Sequence, residues 1–349
     1  MVFQERGRVM TQREIRSAPV TASRLSQAQI SQWRDQGYTL VNGLITPALQ
    51  QQLLDLADAT FPAPGSAAAD EVTDFGSNGA LVFPSPHTIF NEITLDAVLL
   101  QAVADLLGTE VAQLRITQSD LWPKYGRPER QSERDNRDQR MHVDYPNHSL
   151  VHPPRWETPE AVELILYYSD AADCGGETAV VPRTGPQDPA YRWPIIDAPG
   201  IGDLRFINDR VAAETYLSAV APEVAEFRAA LYEREARVAY RPGDVLLYRH
   251  DTWHRGTPLK QGARRLAHNM TFRVASAEWV STLHPGWAWS AYRESQFFER
   301  WIGKASVLQR CVMGFPAPGN AYWNPETLAA VTARYGVFGF DPAPYALES

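Results

Sequence analysis

Two ionisable residues two positions apart, His142 and Asp144, sit in the short run MHVDY. On an extended strand, residues i and i+2 project from the same face, so this imidazole and carboxylate converge on one point. A third ligand has to come from elsewhere. The run GDVLLYRHDTWHRGTP offers one, because its apolar strand at residues 245–248 leads into a loop that ends at His254. His250, four residues earlier, is the rival: HxxxH on a helix is a zinc spacing, but the intervening DTW does not read as helical, which leaves His250 a structural role. Two histidines and one carboxylate leave three adjacent octahedral positions open on a metal, the arrangement of non-haem Fe(II) oxygenases. A 2-oxo acid takes two of those positions and O2 the third. Downstream, GARRLAHNM places Arg264 and Arg265 at the start of another apolar strand, the second of them eleven residues beyond His254. The far carboxylate of a dicarboxylic co-substrate, once buried, needs such a guanidinium.

These residues need a scaffold, and the rest of the chain predicts one. Ser26 is placed to cap a helix that stops near Gly37, followed by a strand at residues 38–41. A second helix is expected over residues 47–59, with Thr46 as cap, Pro47 in the first turn, and Leu49, Leu53, Leu54 and Leu56 as its apolar stripe. From about residue 111 the texture changes to short β-type runs (VAQLRIT, AVELILYYS, ETAVVP, RVAYR, DVLLYR, RLAHNMTFRV) broken by Pro, Gly and Asp. Many short strands at irregular spacing predict a sandwich or barrel whose loops carry function. A helix interrupts them at residues 222–237. From residue 279 the chain is aromatic and helical again, and Trp279, Trp287, Trp289 and Trp301 read as core. Gly175 and Gly176 read as a turn with positive φ, not as a phosphate loop. No repeat or long linker divides the chain. One domain is therefore expected over residues 25–349, with its β core at about 111–275, a helical extension at 279–349, and a flexible segment at 1–24.

Composition narrows the chemistry. The formal charge of -8 on 349 residues argues against a general nucleic-acid binder, which needs a surplus of Lys and Arg. No apolar run of the N-terminal region is long enough for a signal segment or a membrane span, and Cys174 and Cys311 form no spacing pattern, so a reducing cytoplasmic setting is expected. With 10 Trp, 14 Tyr and 13 Phe, the expected partner is a small molecule, apolar or ring-containing. Tyr145, His148 and Trp253, with His152 and Trp156, are candidates to face it. Residues 126–140 hold five arginines and four acids without an aliphatic side chain, and read as a solvated loop or a cover over the ligand strand.

As a set, the N-terminal LSQAQISQWRDQGYTLVNGLI, HVD, CGGETAVVPRTG, GDVLLYRHDTWHRG and the arginine after it resemble the phytanoyl-CoA dioxygenase-like branch of the 2-oxoglutarate oxygenases. The resemblance spans most of the chain. It implies an α+β chain with an all-β core, a double-stranded β-helix (jelly roll, cupin-like) flanked by N- and C-terminal helices. It also implies Fe(II), 2-oxoglutarate and O2 as cofactor and co-substrates, with His142, Asp144 and His254 as iron ligands. Arg265 matches the arginine that holds the 2-oxoglutarate tail, with Arg264 as the fallback, and the strand before HxD, ITQSDLWPKYG, offers Gln118 and Lys124 as further contacts. Related halogenases carry a small residue in place of the carboxylate, so Asp144 points to hydroxylation, with desaturation, ring formation and epoxidation open to the same ligands. Two stretches depart from the family pattern: PRTG at residues 182–185, where Gly-Ser-His is usual, and the charged insert before HxD. Both lie where substrate would approach. The competing expectations are a metal-binding jelly roll without turnover and a zinc hydrolase built on the same triad.

Overall fold

AVELILY and DVLLYR are apolar at nearly every position, a pattern that demands cover on both faces of the sheet they join. A computed structural model describes residues 13–72, 81–127, 138–144, 158–185, 187–191, 209–277, 297–313, 315, 317–320, 323, 328, 332 and 335–346. Its strands in chain order are β1 (Arg13–Ile15), β2 (Ala18–Pro19), β3 (Tyr38–Asn42), β4 (Leu81–Val82), β5 (Leu114–Tyr125), β6 (Ala161–Tyr167), β7 (Thr178–Val180), β8 (Ala236–Val238), β9 (Asp244–Arg249), β10 (His254–Gly256) and β11 (Arg264–Val274). They form a seven-stranded sheet, β2-β3-β9-β6-β11-β5-β4, and a four-stranded sheet, β1-β8-β7-β10.

Side chains alternate across each strand, and the two faces of the larger sheet have different neighbours. Val162, Leu164 and Leu166 of β6, Val245 and Leu247 of β9, and Leu266, Met270 and Phe272 of β11 belong to one apolar cluster with the helices Thr88–Thr94 and Ala97–Leu107. Ile165 and Tyr167, Leu246 and Tyr248, and Ala267 take the opposite face, packed with Val180 and Val238 of the smaller sheet. This second, inner face is where the register β11 to β5 places Arg265 opposite Lys124 and Thr271 opposite Gln118.

The local predictions about the first helices hold. Ser26 and Gln29 form a capping box on the helix Gln27–Gln36, Gly37 ends it at φ 90°, and Thr46 caps the helix Pro47–Thr60. Gly175 and Gly176 have φ 65° and 71°, as the turn required. Three boundaries differ from the sequence reading. Within the segment expected to be flexible, β1 pairs in parallel with β8 and β2 with β3, so edge hydrogen bonds tie residues 13–19 down. The larger sheet also recruits β3 and β4, which lie before residue 111, because β9 and β5 would otherwise be exposed edges. The helix expected to reach residue 237 ends at Arg234, since Ala236 already pairs with Val180. Trp301 is buried in the main core as expected, while Trp279, Trp287 and Trp289 lie outside the described residues.

Candidate metal centre

His254 opens β10, and the chain at residues 138–144 runs antiparallel beside it. His142 and His254 exchange both backbone hydrogen bonds, N to O, at 2.9 Å each. Directly opposed residues of an antiparallel pair project to one side, which brings the two rings to a centroid distance of 4.4 Å. Asp144, two residues on from His142, takes the same side, and one ligand atom from each of the three lies within 4.8 Å of the others. The intervening Met141 and Val143 alternate outward into a separate apolar cluster with Trp253 and Leu231. The turn before His254 is held by the first helix, because Thr252 Oγ1 donates to the Gly37 carbonyl at 2.7 Å.

Hydrogen bonds to backbone carbonyls decide the imidazole tautomers. Nδ1 of His142 lies 3.0 Å from the Arg140 carbonyl and Nδ1 of His254 lies 2.9 Å from the Thr252 carbonyl, so each Nδ1 donates and each neutral ring carries its lone pair on Nε2. Those Nε2 atoms face Asp144, at 3.7 Å from His142 and 3.0 Å from His254. Burial and the neighbouring His254 push His142 down to about 3. Burial opposes charge on His254 too, yet Asp144 holds it above its ordinary value. Burial likewise works against the Asp144 carboxylate, and the charge and hydrogen bond of His254 outweigh it, leaving Asp144 well below the usual range. The point where the three ligand atoms meet therefore favours positive charge, and a divalent cation fits a donor set of two imidazole lone pairs and one carboxylate.

Three buried residues surround Asp144 on the inner face. Tyr248 Oη lies 2.9 Å from Asp144 Oδ2 and 3.1 Å from Glu163 Oε2, and His250 Nε2 lies 2.8 Å from Glu163 Oε1. Burial and the adjacent Asp144 push the Glu163 carboxyl well above its ordinary value. His250 thus has the structural role expected of it, as a partner to Glu163 and not as the third ligand. Sequence reasoning passed over Glu163 and Tyr248. The available signal was Glu163 itself, an acid in the middle of the otherwise apolar AVELILY.

The two candidate arginines separate by strand parity. Arg264 turns to the outer side, where it pairs with Asp58 and reaches the Pro62 carbonyl. Arg265 takes the inner side, donates to the Gly176 carbonyl, and stands beside Tyr167, Tyr240 and Cys174. Burial raises the Tyr167 phenol to about 12, with the Arg265 charge opposing that rise. Lys124 is buried as Arg265's register partner, and its Nζ lies 3.3 Å from where a Cβ on Gly256 would sit, two residues past His254. Gln118 is drawn instead into a polar chain along β5: its Nε2 donates to Asp120 at 2.8 Å, its Oε1 accepts from Thr271 at 3.3 Å, and Trp122 also donates to Asp120.

Trp253 does not face the triad. Its indole N–H donates to the Ala190 carbonyl at 2.6 Å and its ring meets Phe227 edge-on, because odd positions beside His254 point outward. Tyr145, His148, His152 and Trp156 lie outside the described residues, as do residues 128–137 of the charged insert. Among the described residues, Trp33, Trp253 and Trp323 serve packing and are among the largest fully buried side chains. The inner face near the triad carries Gln118, Asp120, Glu163 and Thr271, which is more polar than composition suggested.

The sequence matches no protein-family model and no curated protein. Among solved structures it is similar to the non-haem alpha-ketoglutarate-dependent carbocyclase SnoK from nogalamycin biosynthesis, at 17% identity over 76% of this chain and 91% of that one, with a TM-score of 0.50. Lower-scoring likenesses are the epimerase SnoN in complex with Fe3+, alpha-ketoglutarate and nogalamycin RO (15% identity, 73% of this chain and 86% of that one, TM-score 0.49) and EctD from S. alaskensis with 2-oxoglutarate and 5-hydroxyectoine (18%, 79% and 88%, 0.49). At this identity the likeness to SnoK establishes a shared fold. No helix among the described residues is long and apolar enough to cross a membrane.

Proposed function

We propose that this chain is an Fe(II)- and 2-oxoglutarate-dependent oxygenase of the phytanoyl-CoA dioxygenase-like type, built on a double-stranded β-helix. Its reaction is hydroxylation of an unactivated C–H bond of a small molecule, with release of succinate and CO2. The observation that carries this reading is the convergence of the His142 and His254 Nε2 lone pairs on Asp144. The inward cations Arg265 and Lys124, paired in register on the same inner face, add the second half of the site.

In this reading His142, Asp144 and His254 hold the iron. When bound, the iron supplies O2 activation coupled to decarboxylation of the 2-oxo acid. The chain's residues do the rest. Arg265 and Lys124 take the far carboxylate of the co-substrate, and the burial of Lys124 strengthens that attraction by excluding water. Tyr248 donates to Asp144 and fixes its orientation. Asp144 occupies the position that a halogenase would leave open for halide, which favours hydroxylation over halogenation.

Release of succinate from 2-oxoglutarate by the Fe(II)-loaded protein, dependent on O2 and stimulated by substrate in a metabolite screen, is the direct test. Asp144→Ala is expected to abolish it. Turnover that survives Arg265→Ala would favour a zinc hydrolase, which has no use for that guanidinium. Tight metal binding with no O2-dependent succinate from any mixture would favour a metal-binding protein without turnover.

A further inference from the structure

The segment that carries His142 does not keep even pace with β10. His142 and His254 exchange backbone hydrogen bonds, and the next bond between the two chains runs from the Gln139 N–H to the Gly256 carbonyl at 3.1 Å. Three steps along the ligand segment, 139 to 142, match two along β10, 256 to 254. The extra residue is a β-bulge, a device that re-aims side chains and leaves backbone groups outside the ladder. Met141 lies in this bulge at 0% exposure, so neither the sheet nor water serves its N–H and C=O. A buried peptide left in that state is strongly destabilising.

The helix Pro222–Arg234 supplies both partners. Arg228 Nη2 donates to the Met141 carbonyl at 2.8 Å, and the Met141 N–H donates to Tyr232 Oη at 2.9 Å. Four residues apart, the two side chains share one stripe of the helix. The neighbouring stripe, Phe227 and Leu231, joins the apolar cluster that takes the Met141 and Val143 side chains. Glu214, from the preceding helix Arg210–Val220, braces the pair, accepting from Arg228 Nε at 3.0 Å and from the Tyr232 hydroxyl at 2.6 Å. Burial raises the Tyr232 phenol to about 12, so it keeps the proton it gives to Glu214 and its oxygen is left to accept from Met141. The peptide units on both sides of Met141 are thus fixed, and the second of them contains the His142 nitrogen.

We infer that Arg228 and Tyr232, braced by Glu214, are positioning residues of the metal centre: they hold the bulge that aims His142 at Asp144 and His254. The inference rests on His142 being a metal ligand, as in the proposed function. The helix pair at residues 210–234 then governs metal affinity through the backbone.

Two measurements on the full chain test this: anaerobic competition of Co(II) against a fluorescent chelator, and the EPR spectrum of the Cu(II)-loaded protein, whose nitrogen hyperfine structure reports how many imidazoles coordinate. Tyr232→Phe removes the acceptor for the Met141 N–H and is expected to raise the Co(II) Kd about tenfold, while Arg228→Met removes a charged donor and is expected to raise it up to about a hundredfold. In both, a one-imidazole copper signal is expected to replace part of the two-imidazole signal. Glu214→Gln, which keeps an acceptor for both side chains, is expected to lose less than Glu214→Ala, which removes it. Ile93→Val, in the main core, is the control for lost stability and is expected to lower the urea midpoint without moving either reading. A folded Tyr232→Phe with a Kd within about twofold of wild type overturns the inference. So does a weakened site whose copper signal stays two-imidazole, or an Ile93→Val protein that loses as much affinity as Tyr232→Phe. If Arg228→Met does not fold, Tyr232→Phe and Glu214→Ala decide by the same readings. Wild-type protein that binds neither Co(II) nor Cu(II) overturns the proposed function, and this inference falls with it. Normal wild-type binding with unchanged variants overturns this inference alone.

Discussion

Removing one oxygen from Tyr248 is the sharpest test of how the centre is held. The phenol is 4% exposed on β9, and its Oη stands 2.9 Å from Asp144 and 3.1 Å from Glu163. Tyr248→Phe keeps the ring, whose centroid is 4.9 Å from that of His254, so packing is retained and only the donor disappears. A hydrogen bond to a charged acceptor contributes about 1.5–3 kcal/mol. Loss of a residue that orients a metal ligand typically costs ~10–100-fold in metal affinity. A hundredfold corresponds to about 2.8 kcal/mol, so the two estimates agree. The expected outcome is a metal Kd raised ten- to a hundredfold, read by anaerobic competition of Co(II) or Fe(II) against a fluorescent chelator. The metal-free variant is also expected to unfold more easily, because the buried Asp144 carboxylate then loses one of its donors. A folded variant with a Kd within a factor of two of wild type would refute the reasoning, since Asp144 would then owe its position to other contacts.

Other outcomes follow from the same structure. Arg265→Ala is expected to weaken 2-oxoglutarate binding by at least about tenfold, on the scale of a charge-assisted pair, while leaving metal affinity unchanged; titration of the metal-loaded protein checks both. Gly37→Ala sets a Cβ 2.8 Å from Thr252 Oγ1 at a φ of +90°, and is expected to cost about 1–3 kcal/mol in denaturant unfolding, with a weaker metal site because Thr252 positions His254. His268 is fully buried on the outer face, 2.8 Å from Ser119 Oγ, and burial lowers its pKa to about 3. The folded state therefore keeps it neutral while the unfolded chain takes up a proton below about pH 6.5. Its contribution is complete above that pH and is lost as the pH falls toward 3, at about 1.4 kcal/mol per pH unit. His268→Leu is expected to flatten this part of the stability profile; urea midpoints at pH 6, 5 and 4 that decline as steeply as wild type would contradict it.

Much of this protein was legible in short windows. The capping box at Ser26 and Gln29, the Gly37 stop, and the same-side spacing of His142 and Asp144 all depend on neighbours within four residues, so spacing alone announces them. The helix Ala97–Leu107 carried equally clear signals, Asp96 before it and Gly108 after it, and went unread among the apolar residues that surround it. Where the sequence reading stopped short, the missing quantity was sidedness. Trp253 is adjacent to His254, but strand alternation turns it outward to Ala190 and Phe227. Arg264 and Arg265 are indistinguishable by type, and only the register with β5 and β6 tells which of them faces inward.

What the chain alone determined is the two-residue spacing of His142 and Asp144 and the periods of the elements, since both are set by local backbone geometry. The tertiary structure decided everything that required two distant strands to meet. Tyr248 reaches Asp144 across 104 positions, and Gln139 meets Gly256 across 117. Pairing register and burial, which no local window contains, choose those partners.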